Sequence, residues 1–544
     1  MARMTGGQAL VRSLIGNGVD TLFGLPGVQL DHLFNALHDE GNAIRVLNAR
    51  HEQGVAYMAL GYAMASGDVG TYAVVPGPGV LNTTAALSTA YAVNARVLCV
   101  TGQIPAAYIG RGLGMLHEIP DQLGVLQGLT KWSARIEHPT AAPGDVAEAF
   151  RQLRSGRPQP VGLEMALDLM ADEAEVGLLG AAEAEPGPAL DPDLVTEAAA
   201  LLGQAKRPVI FVGGGVFGAE AELQALAEML QAPVISNRNG RGALSDHHYL
   251  SLTYMAGHRL WADADVVLAV GSRLQPPRMN WGTDDGLKII HVEIDPQELR
   301  RVAKPDVALL ADAKPALAAL ADAVAKVNIA RDSREDELTT LRAEVKAMFE
   351  DRLAPQMAWL EVLRRSLDED GIFVDELTQV GYVARPMFPV YRPRSFLSSG
   401  YQGTLGYGLA TAIGAKVACP DKQVLAIAGD GGLMYNIQEL ASAVHHGIPL
   451  VVVVFADGAF GNVKRMQQEL HGGRVVASDF TNPDFVRLAE SFGAAGYRAE
   501  TPAVLESTIA EAFKQNGPAL IEVPIEPMPD PWKIIIPGRI RPTA

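Results

Sequence analysis

The chain has 544 residues, 48% of them hydrophobic and 20% charged, which supplies several buried cores and excludes a disordered protein. Lys+Arg 45 against Asp+Glu 62 leaves a net charge of −17, which argues against nucleic acid or an anionic membrane as the main partner. With 55 glycines and only 6% aromatics, the composition suits α/β layers with tight turns better than an aromatic-rich β-sandwich.

The first twenty residues lack the continuous apolar core of a signal peptide. Strand-like runs follow at 21–25, 71–75 and 96–102, separated by helical stretches such as HEQGVAYMALGYAMA. An Ala/Glu/Pro-rich segment at 181–193 without apolar periodicity is expected to be an exposed connector. A second set of runs lies at 208–214, 232–236, 265–272 and 288–295; then, over 327–358, charge density rises and the apolar residues thin to a helical stripe. A third set lies at 423–430, 449–457 and 518–525. Continuous rather than alternating apolar runs imply strands buried on both faces, hence parallel sheets flanked by helices. The expectation is three Rossmann-like α/β domains, at 1–175, 190–330 and 355–530, with a C-terminal tail at 531–544. Cys99 and Cys419 sit in apolar surroundings and form no disulfide scaffold. No run approaches the about 20 apolar residues of a membrane helix; the longest is about Pro449–Ala456. A cytoplasmic protein that uses neither membrane nor nucleic acid is expected.

The sharpest chemical signal is AIAGDGGLMYNIQELASAVHHG at 426–447. A buried strand ends in Gly429, Asp430, Gly431 and Gly432, and one helix is expected to follow, with Leu433, Ile437, Leu440 and Val444 on one face. Glycine-rich backbone at a helix start offers free N–H groups to phosphate. Asp430 would repel a bare phosphate there, and makes sense if a hard divalent cation lies between them. Asp457 closes the next strand; in a strand–helix–strand unit both ends lie at one sheet edge, so Asp430 and Asp457 can converge on one ion. Either motif alone reads as an ordinary turn; the pair on successive strand ends points to function. In the first block Glu52 lies beside His51 with Ala49, Gly54, Val55, Met58 and Ala59 near it. An apolar flank would raise the pKa of its carboxyl and let it hydrogen-bond as an acid.

G-D-G followed by an acidic residue or Asn at this spacing resembles the cofactor motif of thiamine-diphosphate-dependent enzymes, and the whole chain is similar to their acetolactate synthase and benzaldehyde lyase branch. The resemblance implies that Asp430, Asp457 and the carbonyl of Ala459 bind Mg²⁺, which holds the cofactor diphosphate beside Gly429, Gly431, Gly432, Phe460 and Gly461. The family has Asn where this chain has Asp457. Glu52 matches the glutamate that bonds the aminopyrimidine and favours its imino tautomer. VVPGPGVLN (74–82) is similar to the family's Gly-Pro-Gly loop, adding Pro26, Gly77 and Asn82 to the cofactor contacts. In SSGYQGTLGYGLATAIGA (398–415), Gly403 would accept from the 4′-amino group and Leu405 would wedge under the thiazolium, while Gln379 matches a diphosphate contact.

For the substrate, FGLPGVQLDHLF (23–34) resembles the pocket loop and puts Val28 and Gln29 near it. Benzaldehyde lyase has histidine at the position of Gln29. His117 stands where both relatives carry glutamine, and a histidine can serve as acid/base near neutral pH. Met466 replaces the tryptophan with which acetolactate synthase selects its larger acceptor. The implied activity is a Mg²⁺-dependent 2-oxo acid decarboxylase/carboligase acting through an acyl-anion (enamine) intermediate on a small-molecule substrate. The alternatives are an aldehyde lyase/ligase of benzaldehyde lyase type and a non-catalytic dimeric scaffold. GGGVFG (213–218) lacks the G-x-G-x-x-G spacing, so FAD is not expected in the central domain. The family's site is shared between subunits, which implies a homodimer or homotetramer with active sites at the dimer interface.

Overall fold

A computed structural model describes residues Met1–Pro542; the last two positions of the expected C-terminal tail lie outside the described residues. The described chain forms two compact units. The first comprises Met1–Pro186, Ser399–Glu500 and Ser507–Pro524; the second comprises Gly187–Ser398, Thr501–Glu506 and Ile525 onward. No described helix is long and apolar enough to cross a membrane.

In the first unit the N-terminal sheet has six parallel strands, in the spatial order Arg45–Asn48, Thr21–Gly24, Gly70–Val74, Val97–Gln103, Val161–Ala166 and Trp132–Ile136. The order reverses between Thr21–Gly24 and Gly70–Val74, so the loops after these two strands flank a switch-point crevice, where α/β sheets bind ligands. Every residue of Gly70–Val74, Val97–Gln103 and Val161–Ala166 is buried, as strands covered on both faces require. The same unit holds four parallel strands of the C-terminal layer, ordered Val424–Gly429, Val451–Ala456, Ala519–Pro524 and Ala495–Arg498. Helix Glu52–Ser66 packs on helix Gly408–Ala418 at backbone contact. A Cβ on Gly61 would lie 2.0 Å from the Thr411 carbonyl oxygen, and one on Gly414 would lie 1.8 Å from that of Met58. Only glycine permits that approach.

The second unit carries the central sheet, six parallel strands in the order Ser251–Thr253, Val234–Ser236, Pro208–Val212, Val266–Val270, Lys288–Glu293 and Val307–Leu310. It also holds the parallel pair Ile372–Val374 and Phe396–Leu397. Segment 177–191 has no regular structure, and the charged stretch after 330 forms helices Glu335–Arg352 and Ala354–Arg365. Three parallel-sheet layers flanked by helices are thus present.

One element differs from expectation. The single helix anticipated after Gly429 is two, Asp430–Leu433 and Glu439–His445. Between them the backbone tightens into three-residue turns, with Tyr435 N–H bonded to Gly432 and Asn436 N–H to Leu433. Asn436 is buried and donates its amide to the Gly406 carbonyl at 2.7 Å. Glycine, tyrosine and asparagine are poor helix formers, so this tertiary bond wins locally. A four-residue helix carries little macrodipole, and the anion-binding expectation therefore loses its helix-end support.

Candidate active site

Asp430 opens the short helix directly after strand Val424–Gly429, and Asp457 follows the neighbouring strand Val451–Ala456. The register that pairs Gly429 with Phe455 brings the two carboxylates to the same edge. Asp430 is 2% exposed. Its Oδ2 accepts from the main-chain N–H groups of Asp457 (3.0 Å) and Gly458 (2.8 Å) and from Asn482 Nδ2 (2.7 Å), and its Oδ1 accepts from Gly431 N–H at 2.8 Å. Asp457 Oδ1 accepts from Ala459 N–H at 3.2 Å. Phe460 sits edge-on to Phe480, and its ring lies against Gly431, where a Cβ would meet it at 2.7 Å. Gly461 begins helix Gly461–Leu470, which carries Met466, 48% exposed, on its outer side.

Burial, and after it the charge of Asp430, pushes the Asp457 carboxyl up to about 6. A carboxyl raised by burial beside a second carboxylate is what a divalent cation would relieve. Among the described residues no three His, Cys, Asp or Glu side chains gather around one point. A cation here would take two carboxylates at most and fill its shell from carbonyls, water and phosphate oxygens. That donor set suits Mg²⁺, which pairs one or two carboxylates with substrate phosphates. The residues present therefore fit Mg²⁺ with a diphosphate.

Segment 398–415 has left-handed backbone at Gly403 (φ 57°) and Gly406 (φ 76°), with Leu405 half-buried between them. Thr404, next to Leu405, accepts from Tyr57 Oη at 3.1 Å. Gln379 belongs to the second unit, at the start of helix Gln379–Met387; its Oε1 is buried with no partner.

At the N-terminal sheet, Glu52 is the first residue of helix Glu52–Ser66, capped by the His51 ring, which accepts from Gln53 N–H. Its Oε2 accepts from Asn82 Nδ2 at 3.0 Å. The expected apolar wrap around this carboxyl is corrected here: Val55, Met58 and Ala59 turn into the core, and Glu52, at the helix end, stays half-exposed. The switch-point loops carry Pro26, Val28, Gln29 and Gly77, and the loop after strand Val97–Gln103 carries His117. Pro26 is exposed and Val28 is 61% exposed, but Gln29 is buried. Gln29 Oε1 lies 3.1 Å from His117 Nδ1, and its Nε2 donates to the Leu116 carbonyl at 3.1 Å. His117 is half-buried with φ 68°, a left-handed conformation that costs a non-glycine residue about 1–2 kcal/mol. Gly77 (φ 58°) lies so close that a Cβ would meet the His117 carbonyl oxygen at 2.3 Å.

Sequence reasoning missed Asn482, which reads only as part of a turn (Thr-Asn-Pro-Asp), and Gln122, which carries no motif. It also missed Glu164, fully buried and ion-paired with Arg135 at 2.6 Å. A charge inside the apolar run VGLEMA was the available signal for Glu164.

Comparison with known proteins bears on the whole chain. Residues 4–125, 195–320 and 377–523 match the family models for the N-terminal TPP binding domain, the central domain and the C-terminal TPP binding domain of thiamine pyrophosphate enzymes. The chain belongs to the thiamine pyrophosphate enzyme family. It is 36% identical to a probable 2-ketoarginine decarboxylase of Pseudomonas aeruginosa, over 96% of this chain and 94% of that one. It is 33% identical to a probable acetolactate synthase large subunit of Methanocaldococcus jannaschii (96% and 92% covered). Identity to the large subunit of acetolactate synthase isozyme 1 of Escherichia coli is 31% (98% and 96% covered). The protein is therefore a thiamine-diphosphate-dependent enzyme of carbon–carbon bond chemistry, of acetolactate synthase and decarboxylase type.

Proposed function

We propose that the protein is a Mg²⁺-dependent 2-oxo acid decarboxylase/carboligase, with 1–175 holding the pyrimidine, 355–530 the diphosphate and 190–330 serving as a central domain. The observation that carries this is the convergence of Asp430 and Asp457 at adjacent strand ends, with the Asp457 carboxyl raised by burial and by the charge of Asp430. Bound thiamine diphosphate supplies the electron sink through which a 2-oxo acid loses CO₂ and its acyl unit becomes a nucleophile. Asp430, Asp457 and the Ala459 carbonyl hold Mg²⁺, and Asp430, already fixed by four donors, orients it. Gly429, Gly431, Gly432, Phe460 and Gly461 line the diphosphate. Pro26, Gly77 and Asn82 border the pyrimidine, and Gly403 and Leu405 shape the ring site. Glu52, steadied by Asn82, holds the proton that the aminopyrimidine needs; a second subunit completes the apolar cover that its own chain does not provide. Exposed Val28 and Met466 face substrate, and Gln29 orients His117, which donates or accepts the proton at the reacting carbon or oxygen.

The reading includes no FAD. In the central sheet, Gly213 and Gly215 pack against Gly271 and Ser272, where Cβ atoms would stand 2.3 Å and 2.7 Å from Gly271 atoms. The glycine turn is thus spent on the neighbouring loop.

The test is a panel run with Mg²⁺ and thiamine diphosphate: pyruvate, 2-ketoarginine and other 2-oxo acids as donors, aldehydes as acceptors, and benzoin. CO₂ release from a 2-oxo acid is expected. Cleavage of benzoin without any decarboxylation would make the protein a lyase, and cofactor binding with no turnover a scaffold.

A further inference from the structure

Gln122 is 2% exposed and uses every polar atom of its amide. Its Oε1 accepts from Gly77 N–H at 2.8 Å; its Nε2 donates to the Gly102 carbonyl at 3.0 Å and to Glu164 Oε2 at 2.8 Å. Glu164 is an anchor, held from its other oxygen by Arg135 Nε at 2.6 Å and touched by Gln103 Nε2 at 3.3 Å. The three bonds of Gln122 tie the loop after strand Gly70–Val74 to strands Val97–Gln103 and Val161–Ala166. Gly77 heads helix Pro78–Val93, on which Asn82 supports Glu52, and abuts the carbonyl of His117. Gly102 backs Gln29, whose carbonyl oxygen would lie 2.6 Å from a Cβ there. Gln122 itself ends the loop that carries His117, five residues earlier.

A buried amide with all its bonds made resists rotation, because turning it over would take the acceptor from Gly77 N–H and face its oxygen to the Gly102 carbonyl and the Glu164 carboxylate. His117 sits in left-handed backbone, which persists only where its surroundings over-determine it. The three bonds of Gln122, with Gln29 on the ring, supply that restraint.

We infer that Gln122, braced by Glu164 and Arg135, is a positioning residue that locks the Gln29, Gly77 and His117 loops into one working arrangement. The inference rests on the proposed role of His117 for its catalytic consequence, but not for its geometry. Gln122→Met keeps the shape and removes all three bonds; if that variant does not fold, Gln122→Asn, too short to span the same partners, replaces it. The primary readout needs no substrate: acylation of His117 by diethyl pyrocarbonate, followed by peptide mass spectrometry on the full-length protein with Mg²⁺ and thiamine diphosphate. Losing the lock should raise the His117 acylation rate by about fivefold or more, one hydrogen bond's worth of protection. Thiamine diphosphate affinity should stay near wild type, because Asp430 and Asp457 are untouched. Turnover of whichever panel substrate is best should fall by about 10²-fold, the cost of misplacing a reacting group. An unchanged acylation rate overturns the inference whatever the turnover. A raised rate with His117→Gln as active as wild type keeps the lock and instead removes the role proposed for His117.

Discussion

The two candidate ends of the site are built by opposite means. At the C-terminal end, Asp430 is buried and held by four donors, three of them backbone N–H groups fixed by the register of two adjacent strands. At the N-terminal end, Glu52 is half-exposed and has one side-chain partner, Asn82, itself exposed. A metal-and-diphosphate half has to be rigid before ligand arrives, since its geometry is dictated by coordination. A proton-handling half has to face the reacting ring, so within one chain it stays open. The contrast teaches that Asp430 is fixed by backbone register, whereas Glu52 depends on a single side-chain partner.

The largest effect is expected at the open end. Glu52→Gln preserves shape and the Asn82 contact but cannot supply its proton, so C2 deuterium exchange of bound thiamine diphosphate should slow by about 10²–10⁴-fold while cofactor affinity holds. Proton NMR of quenched samples reads both rates; wild-type exchange would remove Glu52 from its role. His117→Gln should come next, lowering kcat by about 10²-fold or somewhat more and deleting one limb of the pH–rate profile, within the range of a single acid/base. A profile identical to wild type would make His117 a bystander.

The closed end gives a subtler signature in pH. The Asp457 carboxyl, raised to about 6 in the folded protein, lies above its unfolded value of about 3.9. A carboxyl raised on folding favours the folded state at low pH, and that contribution is lost as pH rises through about 4 to 6. Metal-free protein should therefore lose part of its stability over this window, and Mg²⁺ with thiamine diphosphate should raise Tm more at pH 7.5 than at pH 5. Differential scanning fluorimetry across that range checks it; the same Tm gain at both values would contradict it. Asp457→Asn should abolish the pH difference. It should also change Mg²⁺-dependent cofactor affinity by less than about tenfold, under 1.4 kcal/mol, the smallest effect of the set.

How much of this was legible in the sequence follows from what each feature depends on. The continuous apolar runs gave the parallel layers because burial on both faces leaves a direct compositional mark, as in Val97–Gln103 and Val451–Ala456. Asp430 and Asp457 were visible because both close such runs. The break between Asp430–Leu433 and Glu439–His445 was not, since it depends on Asn436 reaching the Gly406 carbonyl, a contact between residues thirty positions apart. The openness of Glu52 is hidden for a related reason: neighbours in sequence are not neighbours in space, because a helix starting at Glu52 turns Val55, Met58 and Ala59 inward. The bonds of Gln122 and Asn482 go to residues distant in sequence, which leaves no local pattern to betray them.

Binding of thiamine diphosphate to metal-free protein, titrated with and without Mg²⁺ for wild type and Asp430→Ala, tests the central claim most directly. Wild type should bind at least about 100-fold tighter with Mg²⁺, and Asp430→Ala, while folded, should lose that gain almost entirely. Equal affinity with and without metal in wild type, or a full Mg²⁺ gain in Asp430→Ala, would contradict a cation held between Asp430 and Asp457.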